Sequence, residues 1–255
     1  MKNAEVYSYS RLNTWKNCEA SYKLIYHDKV QNNDSWFTEA GSLVHSLLED
    51  FANGEIEQDQ LKFLFLDGMS QLRNSIYPNI KNSFIKGVLT YLENPKMFHL
   101  KMKPFEVEEG FCVYFPKGNF WLRGFIDLWG YMGDDIWAID HKSANNKRAA
   151  WNTKEAVRQL YLYSSYIWLK AGRFPKHLAY NFFKTNDFEK IPFNLNDFNK
   201  ATEWMYDTVE SIRAAKNDEE YYYNAKIDDF FCKELCGVNH SCSMYNNKLI
   251  NKLKE

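Results

Sequence analysis

With 255 residues the chain has room for one large domain with a sizeable buried core. The formal net charge of −1 excludes a global basic field as the means of holding nucleic acid, so such contacts must come from local basic patches and from the aromatics, 17% of the residues. No stretch predicts a membrane span, the first residues lack the apolar run of a signal peptide, and five cysteines in such a chain argue against a disulfide framework; the expectation is an intracellular protein.

In chain order, Ser8 or Ser10 can cap a short helix through Leu12, Trp15 and Cys18. Cys18 alone reads as a small buried hydrophobe. From Ala40 to Phe51 the apolar residues Leu43, Val44, Leu47, Leu48 and Phe51 keep helical spacing, with His45 at the edge of the stripe and Glu49 one turn on. Spacing leaves His45 open as a ligand or as a boundary histidine held by a carbonyl. Residues 55–95 read as a helical insertion, two helices broken near Pro78. Phe105 to Phe115 alternates as a strand, with Glu106, Glu108 and Glu109 near its start, at least two of them reading as a solvated face, and Cys112 reads as core.

A turn at Pro116–Asn119 leads to the strand Phe120–Trp129, which carries Asp127, and Gly130 to Asp135 reads as a second turn. The run Ile136–Ile139 then ends at Asp140, with Lys142 two positions beyond, on the same face of a strand. Antiparallel pairing across the turn brings Asp127 beside Asp140. Two carboxylates and an ammonium at one sheet end are costly to bury without a counter-ion, and carboxylates of this kind suit Mg²⁺ or Mn²⁺. The plain alternative is a hairpin with a surface Asp–Lys pair.

The polar loop after Lys142 offers Lys147 and Arg148 to phosphates, or to solvent alone. A helix capped by Thr153 carries Gln159 one turn before Tyr163; Tyr161, Tyr163 and Tyr166 can stack bases or pack in the core. Strands follow at His177–Phe183 and Phe188–Phe193, then a helix from about Asp197 to Arg213. The chain closes with Cys232, Cys236 and Cys242, three thiols within eleven positions, which points to metal or iron–sulfur ligation.

Taken together, Tyr9-Ser10-Arg11-Leu12 with Trp15 and Cys18, Gly41 to His45, Gly124 to Asp127, Asp140-His141-Lys142, Gln159 to Tyr163 and the late cysteines resemble the RecB-type exonuclease branch of the PD-(D/E)XK nuclease superfamily, which includes CRISPR-associated exonucleases. The resemblance implies a single α/β domain over 1–255: a mixed central sheet flanked by helices, with 1–30 and 220–255 forming a cysteine-cluster subdomain. It implies that His45, Asp127, Asp140 and the His141 carbonyl hold Mn²⁺ or Mg²⁺, with Glu109 the candidate for the acid the family often places on the Phe105–Phe115 strand near the metals, and that Lys142 positions or activates the attacking water. Gln159 and Tyr163 would orient water or substrate. It further implies DNA as substrate, single-stranded ends foremost, and a 4Fe–4S cluster on Cys18, Cys232, Cys236 and Cys242 that staples the chain ends. The late cysteines here are spaced C-x3-C-x5-C, one residue longer than the family's usual C-x2-C-x5-C. That leaves zinc open as the alternative, with His240 as a substitute ligand. Two other readings stay open: a nuclease subunit active only within a larger complex, and a metal-stapled interaction protein.

Overall fold

The computed structural model describes residues 4–96, 98–143 and 157–252. Lys147, Arg148 and the proposed Thr153 cap lie outside the described residues.

The architecture is a mixed six-stranded sheet between two helical layers. The long central strand β3 (Phe120–Met132) sets its geometry. Along one edge it pairs with antiparallel β2 (Phe105–Phe115) over nearly its whole length. The other edge is shared. β1 (Glu5–Ser8) pairs in parallel with Phe120–Arg123, and β4 (Asp135–Lys142) pairs antiparallel with Leu128–Met132. Between them, residues 124–127 have no ladder partner on that edge among the described residues. The sheet therefore splays open at Gly124-Phe125-Ile126-Asp127. β5 (His177–Phe182) continues it in parallel with β4, and β6 (Asp187–Pro192) closes it antiparallel to β5.

One face is covered by α1 (Tyr9–Asn17), α6 (Arg158–Ala171) and α7 (Leu195–Asn217), which bury Leu12, Leu160, Ile167, Met205 and Val209 against Ile126, Ala138 and Tyr180. Each such large side chain contributes about 1.5–3 kcal/mol on burial. Ser8 caps α1 by accepting the Arg11 N–H at 3.1 Å. Asn194 caps α7 through the N–H groups of Asn196 and Asp197. A second core joins α3 (Trp36–Ala52), α4 (Leu61–Ser70) and α5 (Pro78–Glu93) around Trp36, Phe65, Phe84 and Phe183. Pro78 opens α5 at a position where its missing N–H costs nothing. A short α2 (Glu19–Tyr22) and a C-terminal α8 (Ser243–Lys252) complete the helices described here.

Three expectations change. β1 was not expected, because its four residues become a strand only by pairing with β3. Cys112 is exposed rather than core, on the outward side of β2. Tyr161 and Tyr163 are 4% and 7% exposed, so their ring faces are covered by protein and present no platform for a base.

Candidate active site

The opening in the sheet is where the chemistry collects. Asp127 has no ladder partner on this edge, and its Oδ2 accepts the His141 N–H at 2.6 Å, taking over a backbone donor the splayed ladder leaves over. One position earlier on β4, Asp140 is 3% exposed. Lys142 Nζ forms an ion pair with Asp140 Oδ2 at 2.7 Å, and among the described residues this buried oxygen has no hydrogen-bond partner. Lys142 also donates to Gln159 Oε1 at 2.9 Å, and Gln159 Nε2 donates to the Tyr163 hydroxyl at 3.1 Å. The pair Gln159–Tyr163, one turn apart on α6, thus reaches the centre as a brace on Lys142. Gly124 makes room for that brace, because a Cβ there would meet the rings of Phe111 and Tyr163 at 2.9 and 3.1 Å.

From the opposite wall α3 presents His45, whose Nδ1 lies 3.5 Å from Asp127 Oδ2 and 3.9 Å from Glu108 Oε1. Donor atoms of His45, Glu108 and Asp127 all lie within 4.8 Å of one another. Glu108 replaces Glu109, the acid singled out from sequence. Its backbone is left-handed, with φ 46°, and it falls out of the β2–β3 ladder between the paired positions Val107–Leu128 and Glu109–Ile126, level with Asp127. Glu109 points away. Its carboxylate accepts Trp129 Nε1 at 2.6 Å and the Tyr166 hydroxyl at 2.8 Å, and pairs with Lys170.

Burial governs the electrostatics. It pushes the Asp140 carboxyl up to about 6, an effect that Lys142 only partly offsets. Burial raises Asp127 too, against the opposing pull of His45 and Lys142. For His45, burial favours the neutral ring, but Glu108, Asp127 and Asp140 outweigh it and leave its pKa above the ordinary value. Lys142 is likewise held as an ammonium, its burial outweighed by Asp140 and Asp127. His141 stays neutral: burial, followed by the charge of His45, lowers it to about 3. Its Nδ1 faces the Asn181 amide at 2.9 Å, and the same amide donates to the Tyr91 hydroxyl at 2.8 Å. Carboxyls raised by burial, and a buried Asp140 oxygen without a hydrogen-bond partner among the described residues, are what a hard divalent cation would relieve, so these residues fit Mg²⁺ or Mn²⁺. Glu108 and Asn181 are the residues that reading the sequence missed. Asn181 had a signal, a lone amide inside the apolar run Leu178–Phe183; Glu108 had none beyond its two acidic neighbours.

The centre lies in an open cleft of about 550 Å³, lined by the α3 face from Phe37 to Glu49 and by the ends of β2, β3 and β4.

Segments near the two ends of the described chain meet around residues 19–33 and 224–237. Glu19 accepts from the Asn224 N–H at 3.0 Å, and the Gly237 carbonyl accepts from the Asn33 N–H at 3.0 Å. Gly237 must be glycine here, since a Cβ would meet the Asn33 oxygen at 2.1 Å. Burial raises the Cys232 thiol, and Cys236, Cys18 and Cys242 push it the same way. The Cys232–Cys236 spacing runs through a π-helical turn, Phe231–Leu235, in which the Cys236 N–H reaches back five residues to the Phe231 carbonyl at 2.9 Å. A π turn winds in one residue more than an α turn, so the extra residue is absorbed locally.

Fold and site together define a mixed α/β protein with a cluster of acids, an imidazole and a lysine at a break in its sheet. The profile of the PD-(D/E)XK nuclease superfamily matches residues 6–243, and the chain belongs to that superfamily. Members use divalent metals such as Mg²⁺ or Mn²⁺. A crystal structure from Eubacterium rectale, of a protein given provisionally as an exonuclease, covers 95% of this chain and 88% of its own at 14% identity, with a TM-score of 0.56. At that identity the likeness is one of fold. SSO0001, also 14% identical, covers 92% of this chain and 95% of its own, but its TM-score of 0.34 carries no argument. No curated protein sequence matches the chain.

Proposed function

We propose that the chain is a divalent-metal-dependent DNA exonuclease of the RecB-type branch. It hydrolyses phosphodiester bonds at single-stranded ends, inside the cell, in recombination, repair or the processing of CRISPR or phage DNA. The observation that carries this reading is the meeting of His45, Glu108, Asp127, Asp140 and Lys142 in one open cleft. The provisional description of the Eubacterium rectale protein points the same way.

His45, Glu108, Asp127 and Asp140, with the His141 carbonyl, would hold Mn²⁺ or Mg²⁺. When bound, the metal polarises the scissile phosphate and makes water a better nucleophile. The imidazole in the set favours Mn²⁺. Lys142, braced by Gln159 and Tyr163, holds the attacking water and offsets the charge that grows on the phosphate oxygens. Buried Asp127 keeps the β4 backbone in place through the His141 N–H.

In the same reading Cys18, Cys232, Cys236 and Cys242 carry a 4Fe–4S cluster that clasps the two chain ends. Zinc on the same thiolates, with His240 as a substitute ligand, is the alternative.

The test is incubation of the purified protein with end-labelled single- and double-stranded DNA in Mn²⁺, Mg²⁺ or chelator. Loss of label from single strands in Mn²⁺ supports the reading. Cleavage only after a partner is added would make the chain a dependent subunit, and no cleavage under any condition would refute a nuclease role.

A further inference from the structure

Among the residues lining the cleft that holds the acids, Phe37 is the one large apolar side chain, its ring edge-on to that of Trp36 at 5.3 Å. On α3 the residues Phe37, Gly41, His45 and Glu49 form one row at four-residue spacing, and Thr38, Ser42 and Ser46 form the neighbouring row; all line the cleft. Phe37 therefore stands roughly 12 Å along the helix from His45, on the same face. It is partly exposed and is backed by Phe230, whose ring centroid lies 6.3 Å away and which is itself 47% exposed. Phe230 lies two residues before Cys232, on the turn where Asp228 accepts the Phe231 N–H at 2.7 Å and, through its carbonyl, the Cys232 N–H at 2.8 Å. The clasp thus presents this second ring to Phe37.

An aromatic ring at the open end of a charged groove needs an apolar, flat ligand. In a duplex both faces of a base are already covered by its neighbours; an unpaired base offers a free face. We infer that Phe37, buttressed by Phe230, is a base-stacking lip that seats an unpaired nucleotide of the substrate strand, about three to four stacked nucleotides from the scissile phosphate. The hydroxyls of Thr38, Ser42 and Ser46, exposed along the adjacent row, face the backbone between lip and centre. The lip gives the cleft a reason to prefer single strands and fixes the direction in which the strand lies along α3. The inference rests on the nuclease reading for the identity of the polymer, but its test needs no hydrolysis.

The experiment is fluorescence anisotropy of a labelled single-stranded oligonucleotide with the full-length protein in Ca²⁺, comparing wild type with Phe37→Ala, Phe37→Leu and Phe37→Trp. Thermal unfolding of each variant shows that it is folded. Loss of one base–aromatic stack should raise Kd roughly 5- to 150-fold in the Ala and Leu variants, and Trp should restore it. Duplex binding should change by less than twofold in all three. Phe37→Leu with wild-type Kd would overturn the lip, because leucine keeps the apolar bulk and removes only the ring; absence of single-strand binding by wild type would overturn it as well. If the Kd contrasts hold while the wild type cleaves nothing in Mn²⁺, the lip stands and the hydrolytic reading fails.

Discussion

Asp140 is the residue at which activity and stability should pull apart. Its carboxyl is 3% exposed and raised from 3.8 to about 6, with burial the leading cause. A carboxyl whose folded pKa is raised costs stability when it ionises. The penalty is absent below the unfolded value, grows between the two, and is constant above about 6. Two pH units at about 1.4 kcal/mol each make it up to about 3 kcal/mol in the metal-free protein at pH 7.5. Asp140→Asn removes that ionisation. In chelator its Tm should lie above the wild type by about 6–12 °C at most, for a chain of this size. At pH 5 the advantage should shrink to about half. Adding Mn²⁺ should raise the wild-type Tm, through binding to the folded state, and raise that of the variant much less. Differential scanning fluorimetry in chelator and in Mn²⁺, at both pH values, reads all of this. A variant less stable than wild type in chelator at pH 7.5 would refute the claim that burial, rather than the pairing with Lys142, sets the balance at this residue.

The two neighbouring glutamates should separate cleanly. Glu108→Gln should lower Mn²⁺-dependent cleavage by an order of magnitude or more with little change in metal-free Tm, whereas Glu109→Gln should keep its metal dependence and lose stability. The Glu109 carboxylate, though burial opposes it, is held below the ordinary range by Lys170, Trp129 and Tyr166. Its stabilisation is therefore present at neutral pH and lost as pH falls through its folded pKa; hydrogen bonds to a charged group contribute about 1.5–3 kcal/mol each way, which urea melts at pH 7 and pH 4 would resolve. His45→Ala should change the ratio of Mn²⁺ to Mg²⁺ activity, and an unchanged ratio would remove His45 from the ligand set. Cys232→Ser should bleach the brown anaerobic protein, lower its iron content and lower its Tm, while exposed Cys112→Ser should do none of these; a colourless wild type holding one zinc would replace the cluster but keep the clasp.

Much of this was readable before any fold was known. Alternation along 136–142 predicts that Asp140 and Lys142 share a face, because side-chain direction in a strand is a local property. Helical spacing over 40–51, the Pro78 break and the Ser8 cap are local in the same sense, and the resemblance rests on short motifs in their order along the chain. What the sequence could not show is which edges meet. β1 is four residues that count as a strand only beside β3. Glu108, not Glu109, faces the centre because the β2–β3 register and a left-handed backbone turn it toward Asp127. Lys142 gains its brace only when α6 packs across the sheet, and Phe37 reaches the cleft only because α3 lays one face along it. So the sequence by itself determined that Asp140 and Lys142 share a strand face and that His45 lies at the edge of a helical stripe, since those are matters of short-range period; the expectation that His45, Asp127 and Asp140 hold a metal came from the resemblance. The tertiary structure alone decided that they meet at a break in the sheet, because the ladder pairs that open that break join residues up to some hundred positions apart.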